Sequence, residues 1–170
     1  MWRPGERRLF RRHRDGESAI EAGCEDYAAL VWGLLELFQA TGEPRWLEWA
    51  IELTRSQMQL FFDPRDGGWF ATTGEDPSLL LRIKEDYDGA EPSAASMTVR
   101  NLITLGRLTG DPEFDDYAGR TLERYGPHIG RAVRVMPLMV ANLAAWHGGD
   151  TQVVIAGGDG EARRSFERVL

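Results

Sequence analysis

The chain has 170 residues, 42% of them hydrophobic and 28% charged, a composition that supports one folded domain and excludes a disordered tail. A formal charge of -7 excludes general affinity for nucleic acid or an anionic membrane. Cys24 is the single cysteine, so an internal disulfide is excluded, and no apolar run approaches the roughly 20 residues that span a bilayer. A soluble protein in a reducing, cytoplasmic setting is expected, and the N-terminus lacks the apolar core of a secretory signal.

Residues 1–20 form a basic arm in which Arg3, Arg7, Arg8, Arg11, Arg12, His13 and Arg14 are crowded together. No aromatic or glycine pattern of an RNA or DNA module accompanies them, so the arm reads as a solvated edge or a segment that packs on protein. From about Glu25 to Ala40, the residues Ala28, Val31, Leu34, Leu35 and Phe38 keep the three-to-four spacing of an apolar helix face. Gly42 and Pro44 end that helix and begin another, from about Arg45 to Phe62, whose helix-spaced aromatics predict a core face.

Asp63-Pro64-Arg65-Asp66-Gly67-Gly68 predicts a tight turn, followed by a strand over 69–73 paired with one over 79–83. An acidic loop then leads to Ser93, a good N-cap for a helix reaching Leu108. Further helices are predicted over about 113–125 and 132–146, with Pro137 near the first turns or at a kink. Beyond Gly149 a short strand at 152–156 and a polar helix read as the start of an α/β tail. A lone strand cannot satisfy its own backbone, so the sequence is expected to stop partway into that unit.

Thr41-Gly42-Glu43-Pro44-Arg45-Trp46 returns 68 residues later as Thr109-Gly110-Asp111-Pro112-Glu113-Phe114. At that offset Val31 matches Val99, Leu34 matches Leu102, Leu37 matches Leu105, Trp49 matches Tyr117 and Ala50 matches Ala118. The repeating unit is a helical hairpin, which cannot bury its apolar face alone and must stack on neighbours in a solenoid or ring. The expected fold is therefore mainly α, part of an α/α toroid over residues 21–148 with a short β-hairpin insertion and a C-terminal strand-helix piece over 149–170.

In stacked hairpins the first helix of each pair lines the inner wall, so the loops before the two inner helices open on one mouth. Glu25, Asp26, Glu85 and Asp88 are the candidate acid, base or hydroxyl-binding carboxylates there, because acids converging in a funnel can have their pKa values split. Tyr27, Trp69, Tyr87, Glu91 and Ser93 are candidate substrate-binding residues around them, the aromatics as stacking faces. Acids at helix N-termini also favour the macrodipole, which is the alternative reading of Asp26 and Glu91. His13, His128 and His147 lack metal-ligand spacing, so no metal is expected. Val153 to Gly160 resembles a dinucleotide turn, but Arg163 stands at the third glycine position, and no cofactor is expected.

Taken in order, Arg14-Asp15-Gly16-Glu17, Glu25-Asp26-Tyr27-Ala28, Gly67-Gly68-Trp69-Phe70, Lys84-Glu85, Asp88-Gly89-Ala90-Glu91-Pro92-Ser93 and Leu108-Thr109-Gly110-Asp111 resemble the YyaL-type proteins, relatives of a spermatogenesis-associated thioredoxin-like protein. That resemblance implies a longer polypeptide with a thioredoxin-like domain, an (α/α)6 toroid like that of six-hairpin glycosidases and N-acylglucosamine 2-epimerases, and an α/β tail. This chain would be the last part of the toroid and the beginning of the tail. The family's Pro-Ser-Gly-Asn-Ser is here Pro92-Ser93-Ala94-Ala95-Ser96, which removes an amide able to bind ligand or brace the loop.

Three functional expectations follow. The first is a partial toroid that binds or processes carbohydrate, with glycosidase-like or sugar 2-epimerase-like activity in the full-length protein only. The second is a noncatalytic helical scaffold that docks the missing thioredoxin-like and toroid segments. The third is a truncated remnant whose open apolar faces drive self-association.

Overall fold

A computed structural model of the protein describes residues 1–75, 77, 79–130, 133–149, 153, 160–161 and 164–165. The expected 152–156 strand and the polar helix after it lie largely outside the described residues. Three short strands, β1 (Trp2–Arg3), β2 (Arg8–Arg14) and β3 (Glu17–Glu21), form an antiparallel sheet in the order β1-β2-β3. The helices α1 (Cys24–Thr41), α2 (Pro44–Phe61), α3 (Ala94–Thr109), α4 (Pro112–Ile129) and α5 (Pro137–Gly148) follow, with one 3-10 turn at Val133–Val135.

The basic arm is thus the sheet. β2 and β3 are joined by Asp15 and Gly16, whose φ angles of 52° and 84° give the two left-handed residues that a two-residue hairpin requires. Leu9 and Ala22 are buried in the common core while the arginines point outward.

The two repeat turns share one hydrogen-bond pattern, and differ in that the Asp111 side chain also caps its helix by accepting the Glu113 N–H at 3.0 Å. The hydroxyls of Thr41 and Thr109 donate to the carbonyls of Leu37 and Leu105, both at 2.7 Å, and accept from the N–H of Glu43 and Asp111 at 3.3 and 3.2 Å. Gly42 and Gly110 sit at φ 68° and 70°, the left-handed C-cap that β-carbon-bearing residues resist. Pro44, Pro112 and Pro137 each open a helix, where the missing N–H costs nothing; Pro137 starts α5 and kinks no helix.

The hairpins α1/α2 and α3/α4 stack so that α1 packs on α3 and α3 on α5, giving an inner row of α1, α3 and α5 with α2 and α4 behind it. Val31, Val99, Leu34, Leu102, Ala50 and Ala118 are buried as the repeat predicts. The two copies differ where a neighbour is lacking. Leu105 is fully buried but Leu37 is 44% exposed, and Tyr117 packs on Phe62 while Trp49 is 46% exposed.

The β-hairpin expected over 69–83 is not formed among the described residues, and the strands lie instead in the N-terminal segment, where a basic arm is expected. Among the described residues between α2 and α3, strand-like pairing is limited to the bridge from Phe62 to Trp69, and the Ala71 N–H donates to the Ile83 carbonyl at 2.8 Å. Leu80, Leu81 and Ile83 are exposed, so a strand there would bury neither face. The Arg82 guanidinium instead takes the Thr72 and Leu60 carbonyls at 2.9–3.0 Å and lies 3.9 Å from the Phe70 ring centre.

Replacing Gly110 by alanine forces a β-carbon into the left-handed region and should cost about 1 kcal/mol in urea denaturation. Gly126, which lies outside that region and whose added β-carbon would meet nothing within 4 Å, should tolerate alanine far better.

Candidate functional site

The inner helices all begin at one end of the molecule, where the 62–93 segment lies across them. The Cys24 N–H at the start of α1 donates to the Ala71 carbonyl at 3.0 Å, and the Asp88 N–H donates to the Val135 carbonyl at 2.8 Å just before α5. This is the mouth predicted for the acids.

Asp88 is buried there and joins two helices. Its Oδ1 accepts from the Ser93 N–H at 2.9 Å and the Ser93 hydroxyl at 2.8 Å, before α3, and its Oδ2 accepts from the Leu138 and Met139 N–H groups of α5 at 2.9 and 3.3 Å. Ser93 in turn accepts from the Ser96 N–H as the N-cap of α3. Asp88 and Ser93 are therefore brought together, in a shared helix-capping network whose oxygens face backbone donors.

Asp26 has a similar task at α1. Its carboxylate accepts the Gly23 N–H at 2.8 Å and is gripped by Arg11 at 3.0–3.2 Å. That hydrogen bond, with the charge of Asp26, raises the pKa of the Arg11 guanidinium. Tyr27 is a correction to the expected stacking face: it is 1% exposed, its hydroxyl accepts the Leu9 N–H at 2.8 Å, and its ring packs edge-on against Phe61 at 5.4 Å. Burial raises its phenol pKa. Trp69 is likewise no rim, being 1% exposed with its indole N–H on the Thr121 hydroxyl at 3.1 Å and its ring against Phe62. Both rings are drawn inside by the apolar area they remove from water. Glu25, Glu85, Tyr87 and Glu91 are exposed.

Next to the start of α1 lies an open cleft of about 470 Å³, lined among others by Arg11, Glu21, Gly23, Thr72 and Thr73. Ile20 on its wall has φ 63°, a conformation that a β-branched residue rarely adopts and that costs about 1–3 kcal/mol. Arg11 lies 15 residues from Asp26, so their pairing had no local signature, and Thr72 and Thr73 read as a strand.

Behind the mouth the 62–84 loop is closed by charge. Lys84 pairs with Asp63 at 2.7 Å and with Asp66 at 3.2 Å and donates to the Gly67 carbonyl at 2.8 Å. The hydrogen bond from Lys84 lowers the pKa of Asp63 below the usual carboxylate range. Cys24 is buried, with Gln57 donating to its sulfur, and desolvation pushes its thiol up to about 12, so it stays neutral and unreactive. Among the described residues no cluster of three or more His, Cys, Asp or Glu could hold a metal ion, and no helix is long and apolar enough to cross a membrane.

Asp88→Asn keeps the shape but removes the charge facing two helix N-termini, and a loss of about 2 kcal/mol is expected by chemical denaturation. Asp63 has a folded pKa below its unfolded one, so its contribution is complete above the unfolded value and fades as pH falls through the folded value. The stability difference between the wild type and Asp63→Asn should therefore be largest near neutrality and shrink as the pH is lowered through the acid range, as read by thermal melts across pH.

No family model matches the sequence. Over 134 residues, 78% of this chain, it is 42% identical to spermatogenesis-associated protein 20 of Mus musculus and 41% identical to that of Homo sapiens, covering 17% of each. An uncharacterized protein of Caenorhabditis elegans is 30% identical over 142 residues, of which the match covers 19%. The chain thus spans less than a fifth of the length of the curated relatives it matches. Among solved structures, an alpha-mannanase of family GH76 from Bacteroides thetaiotaomicron superposes with a TM-score of 0.59 at 13% identity, over 75% of this chain and 37% of the mannanase. The likeness establishes the fold: stacked α/α hairpins forming part of an α/α toroid.

Proposed function

We propose that this chain is a segment of a longer toroid that binds carbohydrate at the mouth where α1, α3 and α5 begin. The observation that carries the reading is the cleft at the start of α1, whose Arg11, Glu21 and Thr73 offer both donors and acceptors for sugar hydroxyls. The mannanase likeness supports it, since that protein's name is that of a sugar-cleaving enzyme on the same hairpin architecture. Exposed Glu25 and Glu85 are the carboxylates left to act as acid, base or hydroxyl ligand, and Tyr87 and Glu91 the side chains left to contact substrate. Asp26 and Asp88 position the helices that carry the mouth. Glycosidase-like or epimerase-like chemistry would belong to the full-length protein, where further hairpins supply the opposing wall and a thioredoxin-like segment adjoins it.

A noncatalytic reading, in which the mouth is a docking scaffold for those segments, draws on one specific observation: two of the four candidate carboxylates already serve helix capping. Titration of the chain with a mannooligosaccharide, followed by amide NMR, separates the two. Shifts confined to Arg11, Glu21, Thr72 and Thr73, weakened at least fivefold by Glu21→Gln with Thr73→Val, are expected. No shift at millimolar sugar would overturn carbohydrate binding by this segment and leave the scaffold reading.

A further inference from the structure

We propose, resting on carbohydrate binding at the cleft beside the start of α1, that the sugar taken there is a neutral deoxyhexose whose methyl group lies against Ile20 and Leu79. Two parts of the chain border that cleft. The junction of β3 and α1 brings Ile20, Glu21 and Gly23, and the segment between α2 and α3 brings Thr72, Thr73 and Leu79. The two are held together where the Cys24 N–H donates to the Ala71 carbonyl at 3.0 Å, and that carbonyl would stand 3.1 Å from a β-carbon placed on Gly23. Each part thus contributes one large aliphatic side chain and at least one polar one.

Ile20 is strained without a reward inside the chain. Its φ of 63° is left-handed, where a β-branched side chain crowds its own backbone and glycine would not. Strain of this kind persists where something over-determines it, and it gathers at ligand clamps. Core packing does not offset it here, because Ile20 is 57% exposed and most of its apolar surface stays in water. Leu79 is a second exposed aliphatic side chain on the same cleft. Together they form an apolar wall beside hydroxyl-binding groups, a surface that a ligand of mixed character would cover.

The chemistry of the wall selects the group it meets. A sugar ring lays its C–H face on a flat aromatic platform, but Tyr27 and Trp69 are inside the core, and no aromatic side chain lines the cleft among the described residues. Branched aliphatic side chains instead surround a compact apolar group, such as the methyl that a deoxyhexose carries where a hexose has its hydroxymethyl. The charges select against a sugar acid. Asp26 is paired with Arg11 at 3.0 Å and offsets its charge, while Glu21 adds a negative one to the cleft. Arg11, Glu21 and the two threonines remain for the hydroxyls of a neutral ring.

Titration of the full chain with D-rhamnose and with D-mannose, which differ only in a methyl against a hydroxymethyl group, tests this by amide NMR. D-rhamnose should bind about threefold tighter or more, the gain expected from burying one methyl in place of a hydroxyl-bearing carbon. Ile20→Gly, which keeps the backbone angle, and Leu79→Ala, on an exposed loop, should each remove most of that preference with the helical circular dichroism unchanged. Equal affinity for the two sugars would overturn the inference and leave carbohydrate binding standing. No shift with either sugar would overturn that binding and the inference with it. A rhamnose preference that survives both substitutions would also overturn the inference, because the methyl would then lie elsewhere.

Discussion

A single buried carboxylate decides whether this row of helices has a common end. Asp88 faces the N–H groups of Ser93, Leu138 and Met139, so the positive ends of α3 and α5 meet over one negative charge. Neither helix is next to the other in sequence. Without that charge the N–H groups of Ser93, Leu138 and Met139 would need other partners, and the 62–93 segment would lose its anchor at the mouth. Asp26 repeats the device at α1, where Arg11 from the sheet neutralises the charge that caps the helix. The sheet, the loop and the inner row are thus tied at one end by acids that satisfy backbone donors.

This arrangement explains what the sequence revealed and what it concealed. The turns at Thr41-Gly42 and Thr109-Gly110 were legible because their chemistry is local: hydroxyl, left-handed glycine and N1 proline act within six residues. The inner helices were legible because Val31, Leu34 and their equivalents at 99 and 102 keep the period of a buried face. Tyr27 and Trp69 were misplaced because an aromatic beside acids looks the same in sequence whether it faces sugar or core. Their burial depends on Leu9 and Thr121, partners 18 and 52 residues away. Asp88 read as a candidate acid for the same reason, since its donors on α5 lie 50 residues downstream. The sheet had a local sign that the arginines masked: Asp15-Gly16, flanked by residues able to pair, is a strong hairpin turn.

The core shows the same division between local and distant partners. Gln57 of α2 donates to the Cys24 carbonyl and the Thr98 hydroxyl, so one amide links α1, α2 and α3 at their buried junction. Asn101 and Asn142 extend such links along the inner row. These amides fix which face of each helix meets its neighbour, a task that interchangeable apolar contacts perform poorly.

The locality of the turns also sets an order of assembly. Each hairpin closes over a handful of residues, so its loop-closure entropy is small and it can form early and independently. The mouth is different, because Asp88 has no α5 backbone to face until the chain beyond Met139 exists. During synthesis from the N-terminus, α1 through α4 can stack while that carboxylate still faces water, and the end of the row is sealed last. The region with the most chemistry on it is then the region that depends on the latest-made helix, and a ribosome paused before α5 would hold a stacked but open-mouthed intermediate.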